Sequence, residues 1–400
     1  LSVMMLIQYM SMGVFFPMLA HYLKSYLSLS PLQAGIIMAM PAVAAFAAPL
    51  LVTRIADRWI SAEGLLGICH VLGALALLLF WLQDRFALVL LSYLLFWLIF
   101  APTLAMTNTI AFHHMADARR DFGPVRMWGT IGWVIAGFLF GLLWLRGGDM
   151  HAGTGRLPDA FPVSAGVCTL MGIYTMTLPR VQGGPSSQKP VSGWAGLRVF
   201  TRRSLAVLAA MTYLNTVLNM FYVNWMSPYL SQQGIPDGWI LPLLGVGQIS
   251  EFVAMGILGR ILGRLELKRT LMLGILMQVV RFAIFAFCDF PGFLIAAIAL
   301  HGLTYTCFFI TAFIYVDNHC RREERAGAQL AYNTIISGFG NLSGSLLAGA
   351  AAQALADPST HLIDYHRFWF IPGIMAVAVL ALTGMLFREE KARGEEAAGR

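Results

Sequence analysis

Stretches of about 20 apolar residues, each long enough to cross a hydrocarbon core of about 30 Å as a helix, recur from one end of this 400-residue chain to the other. Twelve are expected, at roughly residues 3–23, 33–54, 64–82, 86–110, 124–145, 161–178, 204–230, 239–262, 270–287, 291–316, 326–352 and 367–387. Lipid offers no partner to a backbone N–H or C=O, so each span must satisfy its own hydrogen bonds, as a helix does. A membrane barrel would instead show ten-residue segments of alternating polarity. The expected fold class is therefore all-α, a polytopic membrane protein. Composition leaves no room for a sizeable soluble domain: 58% of residues are hydrophobic and 12% charged, against roughly 25% charged in soluble domains. Pro41, Pro102, Gly137 and Gly338 fall inside spans, where such residues are ordinary.

The net charge of +7 marks topology and not affinity for nucleic acid. Of the 27 Lys and Arg residues, 20 fall in the even-to-odd connections and the C-terminal tail, among them Arg198, Arg202, Arg203, Arg260 and Arg264. Five, including Lys24 and Arg85, fall on the opposite side, and Arg126 and Arg281 lie within spans. The excess of positive charge on one side places both termini and the central connection in the cytoplasm. That central connection, 179–203, contains RVQGGPSSQKPVSGW, the composition of a flexible linker. The expected organisation is a six-helix bundle over 1–178, a linker over 179–203, a second six-helix bundle over 204–388 and a tail over 389–400. A short likeness between ADRWISAEGLLGI and GRLELKRTLMLGI agrees with two comparable halves. The five cysteines stand singly without metal spacing, and neither disulfide framework, metal site nor cofactor is expected. The chain opens at Leu1 inside an apolar segment with no basic region or cleavage site ahead of it, which reads as a trimmed start and not a secreted product.

Some residues are wrong for lipid. Gln248 and Glu251 sit in the middle of the eighth run, three apart and so on one face of a helix. A charge at bilayer depth costs about 2.5–3.5 kcal/mol on insertion scales, so it is kept where it meets a wet cavity or a partner. The functional reading is a polar pathway lined by this face; the plainer one is a Glu paired with an Arg to fix helix packing. The fifth span opens with PVRMWGTIGW, in which Arg126, Thr130 and Trp133 fall at i, i+4 and i+7. A rigid fork of donors, a hydroxyl and a flat ring on one stripe would suit a ligand with oxygens and a planar face. Otherwise Arg126 snorkels to headgroups and Trp133 packs. Thr216 and Asn219 share a face at i, i+3, fit either for a polar ligand or for bonds between helices. Arg281 is expected to make a structural pairing, with Glu251 or an interhelical carbonyl, and His70 reads as a packing histidine.

Twelve helices with a basic mid-chain linker resemble the major facilitator superfamily, and Asp57 and Arg58 in ADRW resemble its acidic-basic loop signature. PVRMWGTIGW, together with PTLAMTNTIAF (Pro102–Phe112), ADRWISAEGLLGICH (Ala56–His70), GQISE (Gly247–Glu251) and VVRFAIFAF (Val279–Phe287), is similar to the nucleoside:proton symporter family within that superfamily. This resemblance implies twelve transmembrane helices in two six-helix bundles that rock about a central cavity. It implies uptake of nucleosides across a bacterial inner membrane with protons as the coupling ion and no enzyme activity.

The substrate-binding residues it implies are Arg126, Thr130, Trp133, Thr216, Asn219, Gln248, Glu251, Tyr305 and Thr306, with Tyr305, Phe308 and Phe309 as aromatic gates. Thr306 stands where the family carries an acid and cannot take up a proton near neutrality. Proton coupling is then expected of Glu251, with His301 as a substitute or else a hydrogen-bonded packing residue. The expected partners are a nucleoside, protons and the lipid bilayer, no nucleic acid, and the chain is expected to act as a monomer. Other readings are a facilitated carrier, a carrier of another hydroxylated metabolite such as a sugar, or a nutrient sensor. A membrane enzyme would need a catalytic cluster, and no HExxH, Ser/His/Asp set or paired acids occur.

Overall fold

A computed structural model of the protein describes residues 1–55, 61–115, 118–145, 153–179, 196, 198–321 and 324–390. Asp57 and Arg58, most of the 179–203 linker and residues 391–400 lie outside the described residues.

Among the described residues there is no strand, and ten helices are long and apolar enough to cross a membrane. Nine of them are α1 (Ser2–Tyr26), α3 (Ala62–Trp81), α4 (Phe86–His113), α5 (Asp121–Leu145), α6 (Gly155–Thr177), α7 (Arg203–Gln232), α10 (Pro291–His319), α11 (Gly327–Ala354) and α12 (Tyr365–Leu386). The tenth, Asp237–Phe287, runs for 51 residues but breaks at Glu266, whose φ of 62° and ψ of 171° lie outside the helical region. The break yields α8 (237–265) and α9 (267–287). The remaining span, α2, is Pro31–Met38 continued by Met40–Ile55. Its start is written in SPLQ: Ser30 Oγ accepts from the Gln33 amide, Gln33 Oε1 accepts from the Ser30 amide, and Pro31 takes the first helical position. The twelve apolar runs thus become twelve helices of an all-α polytopic membrane protein.

The chain packs as two compact units, Leu1–Ser187 with Val223–Gly245, and Gln188–Tyr222 with Val246–Arg400. In the first, a ring cluster fills the core: Phe161 lies 4.6 Å from Tyr22 and 4.7 Å from Phe80, and Phe15 meets Phe96 edge-on at 5.6 Å. The opposite faces of α3 and α4 present Leu75 and Leu91, 57% and 60% exposed. Rows of exposed leucine are what a helix shows to lipid and what a soluble monomer avoids. A groove between α3 and α6 runs past Gly67, Ile68, Val71, Leu72, Gly172 and Ile173, with Glu63 and Thr175 also lining it. In the second unit the core gathers on Trp369, fully buried and packed on Phe285 and Phe368.

Candidate functional site

In the first unit the candidates stand on α5, and glycine decides how closely that helix approaches α1. A Cβ at Gly132 would run into the backbone of Leu6, and one at Gly13 would lie 2.6 Å from the Trp133 carbonyl oxygen. Small residues at a crossing let two helix backbones touch. The same crossing brings Tyr9 under Arg126, whose guanidinium carbon sits 4.1 Å from the ring centroid. Arg126 is therefore half-buried on an aromatic face, an attraction worth about 0.5–2 kcal/mol. Thr130 and Trp133 are also half-buried, and the indole meets Phe16 edge-on at 5.9 Å. Sequence reasoning passed over Gln8, buried on α1, whose Nε2 donates to Thr103 Oγ1 of α4 at 2.8 Å. Its one visible signal was an amide inside an apolar run.

In the second unit α8 and α10 are bolted together by Ser250, a residue the QISE motif contains but its chemistry did not single out. Ser250 Oγ donates to the Ala299 carbonyl at 2.6 Å and accepts from the Gly302 amide at 3.2 Å. Gly302 has no room for a side chain, since a Cβ there would collide with the backbone of Ser250 and Glu251. This contact fixes the rotation of α8 about its axis, and with it Gln248 and Glu251, both half-buried and one turn apart. Thr306, fully buried on α10, directs its hydroxyl toward the Glu251 carbonyl at a long 3.5 Å. Here α10 widens into a π-helical stretch over Tyr305–Ile310, a distortion common at functional sites. Tyr305 is half-buried, 5.3 Å from Phe309. Phe308, offered as a gate, instead packs into the α9–α10 crossing, its backbone nitrogen 2.7 Å from where Gly274 would carry a Cβ.

On α7 the two candidates part company. Asn219 is nearly buried, and its Oδ1 has no hydrogen-bond partner among the described residues. Thr216 donates to the Thr212 carbonyl of its own helix at 2.8 Å and packs on Gly340 of α11. Its hydroxyl proton is thus taken by its own helix, while the oxygen keeps its capacity to accept. Arg281 also departs from expectation. Its Nη1 donates to His301 Nδ1 at 3.1 Å, and its guanidinium lies over the Tyr222 ring at 4.1 Å, two partners the sequence did not name. His70 is buried, donates from Nδ1 to the Leu66 carbonyl and meets Phe100 edge-on, as a packing histidine should.

Twelve apolar helices carrying a few deeply set polar side chains define a polytopic membrane carrier, and similarity to known proteins agrees. With the crystal structure of the nucleoside transporter NupG the chain shares its fold, with a TM-score of 0.83 at 22% identity over 97% of this chain and 98% of that one. This is the major facilitator superfamily fold. Residues 1–392 match the family described as Nucleoside H+ symporter, and the chain belongs to that family. It is 30% identical to the putative nucleoside transporter YegT of Escherichia coli (strain K12), over 98% of this chain and 93% of the relative. It is 24% identical to the nucleoside permease NupG of the same organism, over 96% and 94%.

Proposed function

We propose that this chain takes up nucleosides across a bacterial inner membrane by proton symport, exposing one substrate site alternately to the two sides, with both termini cytoplasmic, as a monomer. The moving bundles are then its covalent halves, 1–178 and 204–388. One observation carries the reading: an amide and a carboxylate, Gln248 and Glu251, held half-buried one turn apart in the middle of a membrane-spanning helix whose rotation Ser250 fixes. A carboxylate at that depth is costly unless a partner, protons or a polar solute meets it. In this reading Arg126, Thr130 and Trp133 contact the nucleoside from α5. Asn219 offers its unpaired carbonyl oxygen, and Gln248, Tyr305 and Thr306 complete the contacts. Glu251 carries the proton, because the Thr306 hydroxyl neither gains nor loses one near neutral pH.

Uptake of labelled uridine or adenosine into vesicles tests this, with and without an inward proton gradient. Concentrative uptake that an uncoupler collapses is the expected result. Glu251→Gln should lose gradient-driven accumulation while exchange of nucleoside for nucleoside partly survives. Accumulation of a sugar but of no nucleoside would overturn the substrate assignment, and nucleoside uptake indifferent to the uncoupler would overturn the coupling.

A further inference from the structure

Deep in the second unit, α7, α9 and α10 close around one guanidinium. Arg281 of α9 has no exposed surface; it donates from Nη1 to Nδ1 of His301 on α10 at 3.1 Å and lies against the face of Tyr222 on α7. The Tyr222 ring in turn stacks on the imidazole, with centroids 5.0 Å apart and planes 24° from parallel. From α8, Gly247 packs at the base of this group: a Cβ there would stand 3.4 Å from His301 Cβ and 3.5 Å from the Tyr222 hydroxyl. The ionisable groups around the imidazole are thus Arg281, Tyr222 and, on its own helix, Tyr305 at 6.2 Å, with Glu251 one turn beyond Gly247 on α8.

A guanidinium has five donors and no acceptor, and it keeps its charge in proteins. The imidazole nitrogen that faces it must therefore present a lone pair, which leaves the ring proton on Nε2. A second proton would have to enter at Nδ1, where it would break the hydrogen bond and set two cations 3.1 Å apart. His301 as a residue is 6% exposed, and Nε2–H is the donor its ring has left to offer.

We propose that Arg281 is a positioning residue that locks His301 in the Nε2–H tautomer, making His301 a fixed hydrogen-bond donor to an acceptor oxygen or nitrogen of the transported nucleoside and not a proton carrier. The inference deepens the transport reading above and rests on it for the identity of the acceptor, whereas the tautomer itself does not depend on any substrate. Proton exchange then falls to Glu251, one turn along α8 from Gly247.

Nitrogen NMR of the full chain, labelled with 15N-histidine and held in lipid nanodiscs, reads the tautomer directly. The His301 signals are identified by their loss in His301→Gln. Between about pH 5.5 and 8, where an ordinary imidazole changes charge, Nδ1 should keep a lone-pair shift and Nε2 a protonated one. A protonated Nδ1, or an imidazolium appearing in that range, would overturn the proposal whether or not the chain carries nucleosides. A second readout is the same spectrum of the Arg281 variants. Arg281→Lys, which retains a donor and a charge, should keep the lone pair on Nδ1, and Arg281→Met should let a protonated Nδ1 appear. An unchanged tautomer in a folded Arg281→Met protein would overturn the lock. With the tautomer as stated, His301→Gln should keep an N–H donor and most uptake, while His301→Phe should raise KM by roughly 3–10-fold, the worth of one hydrogen bond. Equal uptake by His301→Phe and the parent would remove His301 from the site.

Discussion

His21 Nε2 lies 2.9 Å from Asp237 Oδ1, joining α1 to the first turn of α8 across 216 residues of sequence. The imidazole is 1% exposed and the carboxylate 18%, and the other ring nitrogen is met by Ser25 Oγ at 3.1 Å. Every polar atom of this buried ring is therefore in use. Truncating one partner leaves the other desolvated and unpaired, at a cost of about 1–3 kcal/mol.

His21→Ala and Asp237→Ala should each lower thermal stability, and the double variant should lose far less than their sum, with a coupling of about 1–3 kcal/mol. Melting of the four proteins in one detergent checks this. Strictly additive losses would show that the two side chains are neighbours without a shared bond.

Gly132 carries a second prediction. With no space between α5 and the backbone of Leu6, Gly132→Ala must push α1 and α5 apart, and overpacking of this kind costs about 1–3 kcal/mol. Gly166, on α6, has nothing within 4 Å of its Cβ position, and Gly166→Ala should melt like the parent. The displaced α1 would also carry Tyr9 away from Arg126, so uridine affinity should fall in the first variant and hold in the second. Equal melting of both variants would show that the crossing has slack.

The helices were legible because the constraint that makes them is one-dimensional: about 20 apolar residues in lipid can only be a helix. Even the α8–α9 boundary was visible as the charged run GRLELKR, and the chain breaks inside it at Glu266. Gln248 and Glu251 were legible for the opposite reason, being residues that lipid rejects. What sequence could not supply was partnership. Arg281 was marked as costly, but its bond to His301 depends on how α9 and α10 rotate against each other, and no spacing along either run encodes that. Nor could spacing say where the Thr216 hydroxyl points, because a hydroxyl on a helix can turn back to the carbonyl four residues earlier, as it does to Thr212. His21 and Asp237 escaped notice because each, taken alone, is an ordinary polar residue near the end of an apolar run.

Acid should loosen the connection between α11 and α12 at a definite place. Asp357 Oδ1 accepts from the Ser359 hydroxyl and from the Ser359 and Thr360 amides. These bonds, the Ser359 hydroxyl first, favour the ionised form and hold the carboxyl down at about 2. A carboxyl depressed in the folded state contributes order that is fully present above its ordinary value and is lost as pH falls through the folded one. Hydrogen exchange at Ser359 and Thr360, corrected for intrinsic rates, should show constant protection at mild acidity that fades as pH approaches about 2. In Asp357→Asn the fade should be gone; its persistence there would assign it to another group.

The last prediction concerns how rigidly α8 must be held for Glu251 to serve the site. Gly302 lets the backbone of α10 lie directly on Ser250 and Glu251, and Ser250 then bonds both the Ala299 carbonyl and the Gly302 amide. A methyl at Gly302 would meet the backbone of Ser250 and Glu251 as well as the Ser250 hydroxyl, so α8 must shift or turn, and Gln248 and Glu251 turn with it. Gly302→Ala should raise the KM for uridine at least about tenfold, the equivalent of 1.4 kcal/mol of lost binding, and weaken the response to a proton gradient. Ser250→Ala, which removes the bolt without forcing the helices apart, should fall between that variant and the parent. Gly256, further along α8 with nothing near its Cβ position, serves as the control, and Gly256→Ala should transport normally. If Gly302→Ala and Gly256→Ala transport alike, the α8–α10 contact does not set the geometry of Glu251, and the carboxylate must be positioned by something other than the helix it sits on.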